Sequence, residues 1–164
     1  MRWPDPSEAL GSIRWAVIGA VATRLYMPER TTTDLDVAIS SEDAAEAYRR
    51  LEQAGWERRG ELAVPGAHWQ APSGDHLDVV ELDHPWVPEA LEAALGNRDP
   101  QGLPILPLPY LVLTKIGAGR VQDLADATRM LGQATADQLD AVRSVIRQYA
   151  PADAEDVEAL IELG

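Results

Sequence analysis

The chain has 164 residues, a length that fits one globular domain with a sizeable buried core. Hydrophobic residues make up 46% of it and charged residues 25%, which excludes global disorder, and the absence of cysteine excludes disulfides and cysteine-based zinc sites. Fourteen basic against 27 acidic residues give a formal net charge of −13, so the protein repels phosphate backbones and anionic membranes. We therefore expect a single domain over residues 1–164 without extensive nucleic-acid contact.

The sequence contains no segment that predicts membrane insertion or export. The longest apolar stretch, residues 15–22, is far shorter than the roughly 20 residues that a membrane helix needs. Residues 1–6, which include two prolines, lack the apolar region of a secretory signal peptide. We therefore expect a cytoplasmic protein with no membrane partner.

The first third of the sequence alternates between strand and helix patterns. The apolar run 15–18 ends at Gly19 and is followed by small residues, which predicts a strand, a tight turn and a helix. Residues 34–40 alternate between apolar and polar positions and predict a strand with one apolar face. A helix capped by Ser40 or Ser41 should cover that face.

Short extended segments follow in the middle of the chain. Three are predicted, at residues 56–59, 68–71 and 76–82. The turn residues 72–75 should join the last two in a hairpin, and residues 87–95 predict a short helix. The proline-rich segment 103–109 can only be an edge or an extended connector, since proline cannot donate a hydrogen bond within a sheet.

Helical periodicity dominates the rest of the chain. Residues 110–116 and 123–131 predict two helices, separated by a Gly-Ala-Gly segment. Residues 135–138 have the form of a capping box and open a helix to about residue 149, and Asp153 is expected to cap a last helix. The order of elements predicts an α+β fold, with a mixed β-sheet, covering helices and a C-terminal helical segment.

Two aspartates, Asp34 and Asp36, lie at alternate positions of a predicted strand, so their carboxylates project from the same face. Adjacent carboxylates repel each other, and Mg²⁺ or Mn²⁺ would relieve that repulsion, although a solvated strand face is the common alternative in so acidic a chain. A second strand carries Asp78 in an apolar run, where an unpaired charge is costly. If these strands are neighbours, the three carboxylates form one site.

Four motifs, taken in order, resemble the nucleotidyltransferase superfamily, the fold of DNA polymerase beta and of small antibiotic and toxin nucleotidyltransferases. They are the Gly-containing segment 16–20, the Asp-x-Asp segment 30–37, the third acid in segment 77–80, and segment 110–126, which is similar to the downstream Lys, Ala, Arg, Asp-Leu pattern of the abortive-infection toxin branch. The resemblance covers residues 13–132. It implies a nucleotidyltransferase-type core over residues 13–107 and a helical part over residues 108–164.

The resemblance also implies an activity, namely transfer of a nucleoside monophosphate from a nucleoside triphosphate such as ATP to a hydroxyl-type acceptor on a small molecule, protein or RNA. It assigns Asp34 and Asp36 to a bound Mg²⁺ or Mn²⁺, and Asp78 to activation of the attacking hydroxyl. The residues that it assigns to the nucleotide are Gly19, Ala20, Arg30, Thr32 and Lys115. Kinship with toxins would add an antitoxin-like protein partner.

Three of these assignments have alternatives. Ala20 stands where the family has Gly or Ser, so the protein could instead be a catalytically weak or inactive member that binds a nucleotide or a partner protein. Arg30 could simply pair with a local acid. Lys115 could lie on the exposed side of its helix and pair with an acid there, a contact of small energetic value.

Other polar residues are expected to be structural. Asp123 lies where a helix N-cap is predicted, and capping is its favoured role. His68, His76 and His84 lack the spacing of a zinc site, so we expect them to be exposed or hydrogen-bonded. His76 should share one strand face with Asp78.

Overall fold

The computed structural model describes residues 2–28 and 32–164 and contains a five-stranded mixed sheet. Its strands are β1 Trp15–Ile18, β2 Leu35–Ser40, β3 Glu57–Glu61, β4 Gly66–Gln70 and β5 His76–Leu82. Their spatial order is β1-β2-β5-β4-β3, in which β2 and β5 run parallel and the other neighbouring strands run antiparallel. The predicted α+β class with a mixed sheet is therefore confirmed.

Eight α-helices lie within the described residues. They are α1 Ser7–Leu10, α2 Gly19–Thr23, α3 Ala44–Gln53, α4 Val87–Ala94, α5 Leu108–Ala118, α6 Val121–Gly132, α7 Ala136–Tyr149 and α8 Ala154–Leu163. The predicted capping box opens α7, because Thr135 and Gln138 each accept a hydrogen bond from the other's backbone N–H. Asp153 precedes α8 as expected, but its side chain makes no capping hydrogen bond.

The apolar face of the sheet is covered by helices. Leu35, Val37 and Ile39 alternate along β2 and are fully buried. On the same face, Trp69 of β4 packs against Tyr48 of α3, with 5.4 Å between the ring centroids. The helix after β2 thus covers the apolar face as predicted, and the opposite face keeps the polar positions of β2.

Several element boundaries differ from the prediction; β4, for example, covers Gly66–Gln70 rather than residues 68–71. The hydroxyl of Ser40 accepts a hydrogen bond from the backbone N–H of Glu42 at 3.4 Å, which starts a 3₁₀ turn over Ser41–Asp43, and α3 begins only at Ala44. Serine and acidic residues favour such tight turns because their side chains compete for nearby backbone N–H groups. Strand β3 runs on to Glu61, two residues beyond the predicted end.

The proline-rich segment is an extended connector at the edge of the sheet up to Pro107, as predicted, whereas Leu108 and Pro109 already belong to the first turn of α5. Val17 of β1 donates its N–H to the carbonyl of Pro104 at 2.7 Å, and Leu106 donates to the carbonyl of Val17 at 3.0 Å. Ile105 forms a single parallel bridge with Val17. The prolines supply only carbonyl groups, so the pairing with β1 stays short.

The C-terminal helices continue the hydrophobic core of the sheet. Helix α5 packs against α6 and α7, and α8 packs against α6 and α7. Leu111, Met130 and Ile146 from these helices belong to the same buried cluster as Val37 and Val79 of the sheet. Within residues 2–28 and 32–164, no helix combines the length and the apolar character required to cross a membrane.

Candidate functional site

Three aspartates come together where β2 and β5 run side by side. The parallel register places Asp36 directly opposite Asp78, and Asp34 immediately precedes β2. Asp36 and Asp78 are half-buried, whereas Asp34 is exposed. All three line one narrow cleft of about 330 Å³.

Gly19 provides the space that the Asp36 carboxylate occupies. The end of β1 pairs Ile18 with Asp36, so the next residue, Gly19, lies against that side chain. A Cβ at Gly19 would overlap with the carboxylate, and Gly19 has a φ of +65°, which other residues rarely adopt. Glycine is therefore required here for two independent reasons.

Burial and repulsion act together on Asp36. Desolvation, followed by the neighbouring charges of Asp78 and Asp34, raises the pKa of Asp36 to about 6 from its ordinary value of 3.8. The charges of Lys115 and His68 lower that pKa, but their effect is smaller. No side chain within residues 2–28 and 32–164 donates a hydrogen bond to this carboxylate. A cation at this point would stabilise its charged form.

Lys115 lies in the same cleft but is already bound to two acids. Its side chain is 11% exposed, and its Nζ donates to Asp123 Oδ1 at 2.9 Å and to Asp126 Oδ2 at 3.1 Å. Arg120 Nε donates to the other oxygen of Asp123 at 2.6 Å, and Gln122 donates to Asp126 at 3.0 Å. These bonds join the end of α5 to the first turns of α6.

The cluster around Lys115 corrects two expectations. Asp123 does not cap α6, since Arg120 is the N-cap and Asp123 lies inside the first turn. Burial alone would raise the pKa of Asp123, but hydrogen bonds from Arg120 and Lys115 outweigh burial and lower it. The alternative role for Lys115 was half correct, because it pairs with acids but on the buried side of its helix.

His68 is a neighbour of the site that sequence analysis assigned only a structural role. It lies on β4 directly opposite Asp78, and its Nδ1 is 2.6 Å from Asp78 Oδ1. His76, at the start of β5, is exposed. His84 lies farther along the cleft and stacks on Trp86, with 5.3 Å between the ring centroids.

The cleft widens on one side into an apolar space of about 790 Å³. Its apolar walls include the β3–β4 connection, at residues 62–65, and Val80 and Leu82 of β5. Asp36, Asp78 and Lys115 line both spaces. Asp36 and Asp78 therefore lie where the narrow part and the wide part of the cleft meet.

Most of the residues that the resemblance assigned to the site line the narrow cleft. They are Gly19, Ala20, Thr32, Asp34, Asp36, Asp78 and Lys115. Arg30 lies outside the described residues. Thr32 contacts Asp34 locally, since its hydroxyl is 3.4 Å from the Asp34 backbone N–H. The structure therefore brings these residues together, and their roles toward a ligand stay predictions.

The donor set suits a metal that needs few protein ligands. In the described part of the chain, no group of three or more histidine, aspartate or glutamate side chains is arranged to hold a metal ion by itself. Mg²⁺ commonly binds through one or two carboxylates, with water and substrate phosphates completing its shell. Asp34 and Asp36, two acids on the cleft wall, fit that mode.

Similarity to known structures identifies the fold. The chain is similar to a solution structure of the antibiotic-resistance factor ANT(2'')-Ia, with a TM-score of 0.53 and 14% identity over 90% of this chain and 88% of the other. It has a nucleotidyltransferase-type fold. The lincomycin-bound lincosamide antibiotic adenylyltransferase LnuA matches with a TM-score of 0.46 and 11% identity, over 74% of this chain and 88% of the other. Terminal uridylyl transferase 4 from Trypanosoma brucei, with bound GTP, matches with a TM-score of 0.35 and 13% identity, over 73% and 42%.

No family model and no curated protein matches the sequence. The comparisons therefore show the fold, and membership of the predicted superfamily stays a prediction. The toxin branch is not among the structures named above, so that closer kinship stays a prediction.

The Gly19→Ala variant should be destabilised. Its Cβ would displace the Asp36 carboxylate, and the left-handed backbone conformation alone costs about 1–2 kcal/mol for a residue with a side chain. Chemical denaturation measures the effect. The control is Gly117→Ala, because Gly117 lies within α5 with open space around it, and alanine there should be neutral or stabilising. Equal stability of the two variants would contradict this account of Gly19.

Asp36→Asn should stabilise the metal-free protein at pH 8. The folded state holds the Asp36 proton more tightly than the unfolded state, so ionisation between about pH 4 and pH 6 reduces stability. Since one pKa unit corresponds to about 1.4 kcal/mol, the gain should be up to about 3 kcal/mol at pH 8 and vanish below pH 4. Urea denaturation across this pH range tests it, with the exposed Glu52→Gln as control. A loss of stability at pH 8 would contradict the prediction.

Lys115→Met should destabilise the fold strongly. The substitution leaves Asp123 and Asp126 buried without their shared ammonium group, and breaking a buried pair in this way costs about 3–5 kcal/mol. Thermal and urea denaturation measure the loss. Arg143→Met, which removes an exposed pair with Glu158, serves as the control and should leave stability nearly unchanged. Similar behaviour of both variants would show that the Lys115 cluster is not a structural link.

Proposed function

We propose that this protein is a metal-dependent nucleotidyltransferase that moves a nucleoside monophosphate from a nucleoside triphosphate to a hydroxyl group. The observation that carries the proposal is the arrangement of Asp34, Asp36 and Asp78 on one wall of a cleft within a nucleotidyltransferase-type fold. Repulsion among these acids favours a bound cation, which would stabilise the ionised form of Asp36 and so offset the burial and repulsion that raise its pKa.

The proposed roles follow from the chemistry of phosphoryl transfer. Asp34 and Asp36 would hold Mg²⁺ or Mn²⁺, which supplies neutralisation of the charge on the phosphate oxygens. Asp78 accepts the proton of the acceptor hydroxyl while the hydroxyl oxygen forms a bond to the α-phosphorus. At the same time the bond between the α-phosphorus and the pyrophosphate oxygen breaks. The products are the nucleotidylated acceptor and pyrophosphate.

Charge in the narrow cleft supports the need for an added cation. Among the described residues that line it, four carboxylates face two cations, Lys115 and Arg120. Both cations already bind Asp123. A triphosphate that entered this cleft without a metal would meet a net negative charge.

The wide part of the cleft favours a small-molecule acceptor. Its volume of about 790 Å³ lies within the usual range of small-ligand pockets, and its walls are largely apolar. Glu81 and Asp83 add negative charge along the same space, which favours a neutral or cationic hydroxyl compound over RNA. A protein acceptor is the alternative. The antitoxin-like protein partner that kinship with toxins would imply is part of that alternative.

Transfer should depend on the aspartates in two different ways. Asp36→Asn should abolish Mg²⁺-dependent triphosphate binding, measured by isothermal titration. Asp78→Asn should retain binding but lower pyrophosphate release about 10²–10⁴-fold, the usual contribution of a general base. The exposed His76→Ala is the control and should retain both properties.

Assays of the wild-type protein distinguish nucleotidyl transfer from nucleotide binding without catalysis. Pyrophosphate release with a hydroxyl-bearing small molecule supports nucleotidyl transfer. Triphosphate binding without turnover on any acceptor would instead favour the inactive, nucleotide-binding protein that Ala20 suggests. Absence of both metal and triphosphate binding would overturn both functions.

A further inference from the structure

His68 makes a contact with the Asp78 carboxylate that nothing in the proposed roles uses. The antiparallel register of β4 and β5 sets His68 opposite Asp78 on the same face of the sheet. On the other side of β5, the register of β2 sets Asp36 opposite Asp78. Asp78 thus lies between a carboxylate on one neighbouring strand and an imidazole on the other.

The contact is a hydrogen bond to one carboxylate oxygen only. Nδ1 of His68 lies 2.6 Å from Oδ1 of Asp78, and within residues 2–28 and 32–164 no other side chain hydrogen-bonds to this carboxylate. An ionised carboxylate only accepts hydrogen bonds, so Nδ1 of His68 carries the proton that it donates. The second oxygen, Oδ2, remains available for another donor.

The hydrogen bond between His68 and Asp78 is expected to contribute little to the stability of the folded protein. The side chain of His68 is 48% exposed and that of Asp78 is 22% exposed, and pairs at such positions usually contribute little to folding. The location has a clearer consequence, because Asp78 lines both parts of the cleft, at the point where the acceptor hydroxyl and the triphosphate would meet.

We propose that His68 is a positioning residue, which holds the Asp78 carboxylate through Oδ1 so that Oδ2 faces the acceptor hydroxyl. The inference rests on the proposed function and deepens it. A side chain that rotates freely presents its oxygens to the hydroxyl only part of the time, and fixing one oxygen by a donor removes that freedom.

The test compares three substitutions that differ in where they place a donor. Leucine at position 68 has no donor. In asparagine the amide nitrogen is bonded to Cγ, as Nδ1 is in histidine, whereas in glutamine it lies one bond farther out. The proposal therefore predicts that His68→Leu lowers kcat about 10- to 100-fold, that His68→Asn keeps most of the activity, and that His68→Gln does not.

An effect on kcat without an effect on KM distinguishes a positioning role from a binding role. The KM values for triphosphate and acceptor, and the triphosphate affinity by isothermal titration, should be unchanged in His68→Leu. His76→Ala, on the same strand face as Asp78, is the matched control and should behave as wild type. If His68→Leu retains the wild-type kcat, loses triphosphate affinity instead, or is matched in kcat by His68→Asn, the positioning role is wrong.

A measurement that needs no activity tests the contact itself. Long-range ¹⁵N–¹H correlation of the imidazole groups should show His68 protonated at Nδ1, with a strongly downfield proton that disappears in Asp78→Leu. Its persistence in that variant would overturn the pairing. Wild-type protein that shows the signal but transfers nothing would overturn the proposed function, and the positioning role with it. Normal transfer with an indifferent His68→Leu would overturn the positioning role alone.

Discussion

The parallel pairing of β2 with β5 is the constraint on which the site depends. It sets Asp36 directly beside Asp78, and no local interaction could bring these two carboxylates together across 42 residues of sequence. The pairing is held by the apolar residues that alternate with the acids, such as Val37 opposite Val79, both fully buried. Burial of one set of positions therefore forces the acids of the other set to lie side by side despite their repulsion.

Neighbouring elements respond to that arrangement in different ways. At the end of β1, a glycine leaves room for the Asp36 carboxylate, and on β4 an imidazole donates to Asp78. Between α5 and α6, Asp123 and Asp126 neutralise Lys115, whose charge acts on Asp36 without a direct contact. Asp34 and Asp36 are left as the acids of the cleft that no described cation contacts directly, so the local chemistry singles out the pair that the Asp-x-Asp motif suggested.

Sequence patterns predicted the elements better than the contacts between them. Alternation along β2, the capping box of α7 and the turn between β4 and β5 are local signals, and each is present in the structure. The contact between His68 and Asp78 depends on register. Strands predicted as 68–71 and 76–82 would pair His68 with Val79, whereas the observed loop is one residue longer at its start and pairs His68 with Asp78. A shift of one residue exchanges the two faces of a strand, so this error was enough to hide the contact.

The Lys115 cluster shows a second limit, which concerns burial. The helical periodicity around position 115 is compatible with a lysine that faces solvent and with one that faces the interior. The packing of α6 on α5 decides which of the two occurs. Because Asp123 and Asp126 are three residues apart on one helix, they present two carboxylates to one ammonium group, which makes a buried lysine tolerable. The same geometry limits what Lys115 can offer a triphosphate, since a phosphate oxygen would have to compete with two buried carboxylates. Under the proposed function, its contribution to a bound nucleotide would therefore be that of a fixed charge near Asp36, and direct neutralisation of the phosphates would fall to the proposed metal ion.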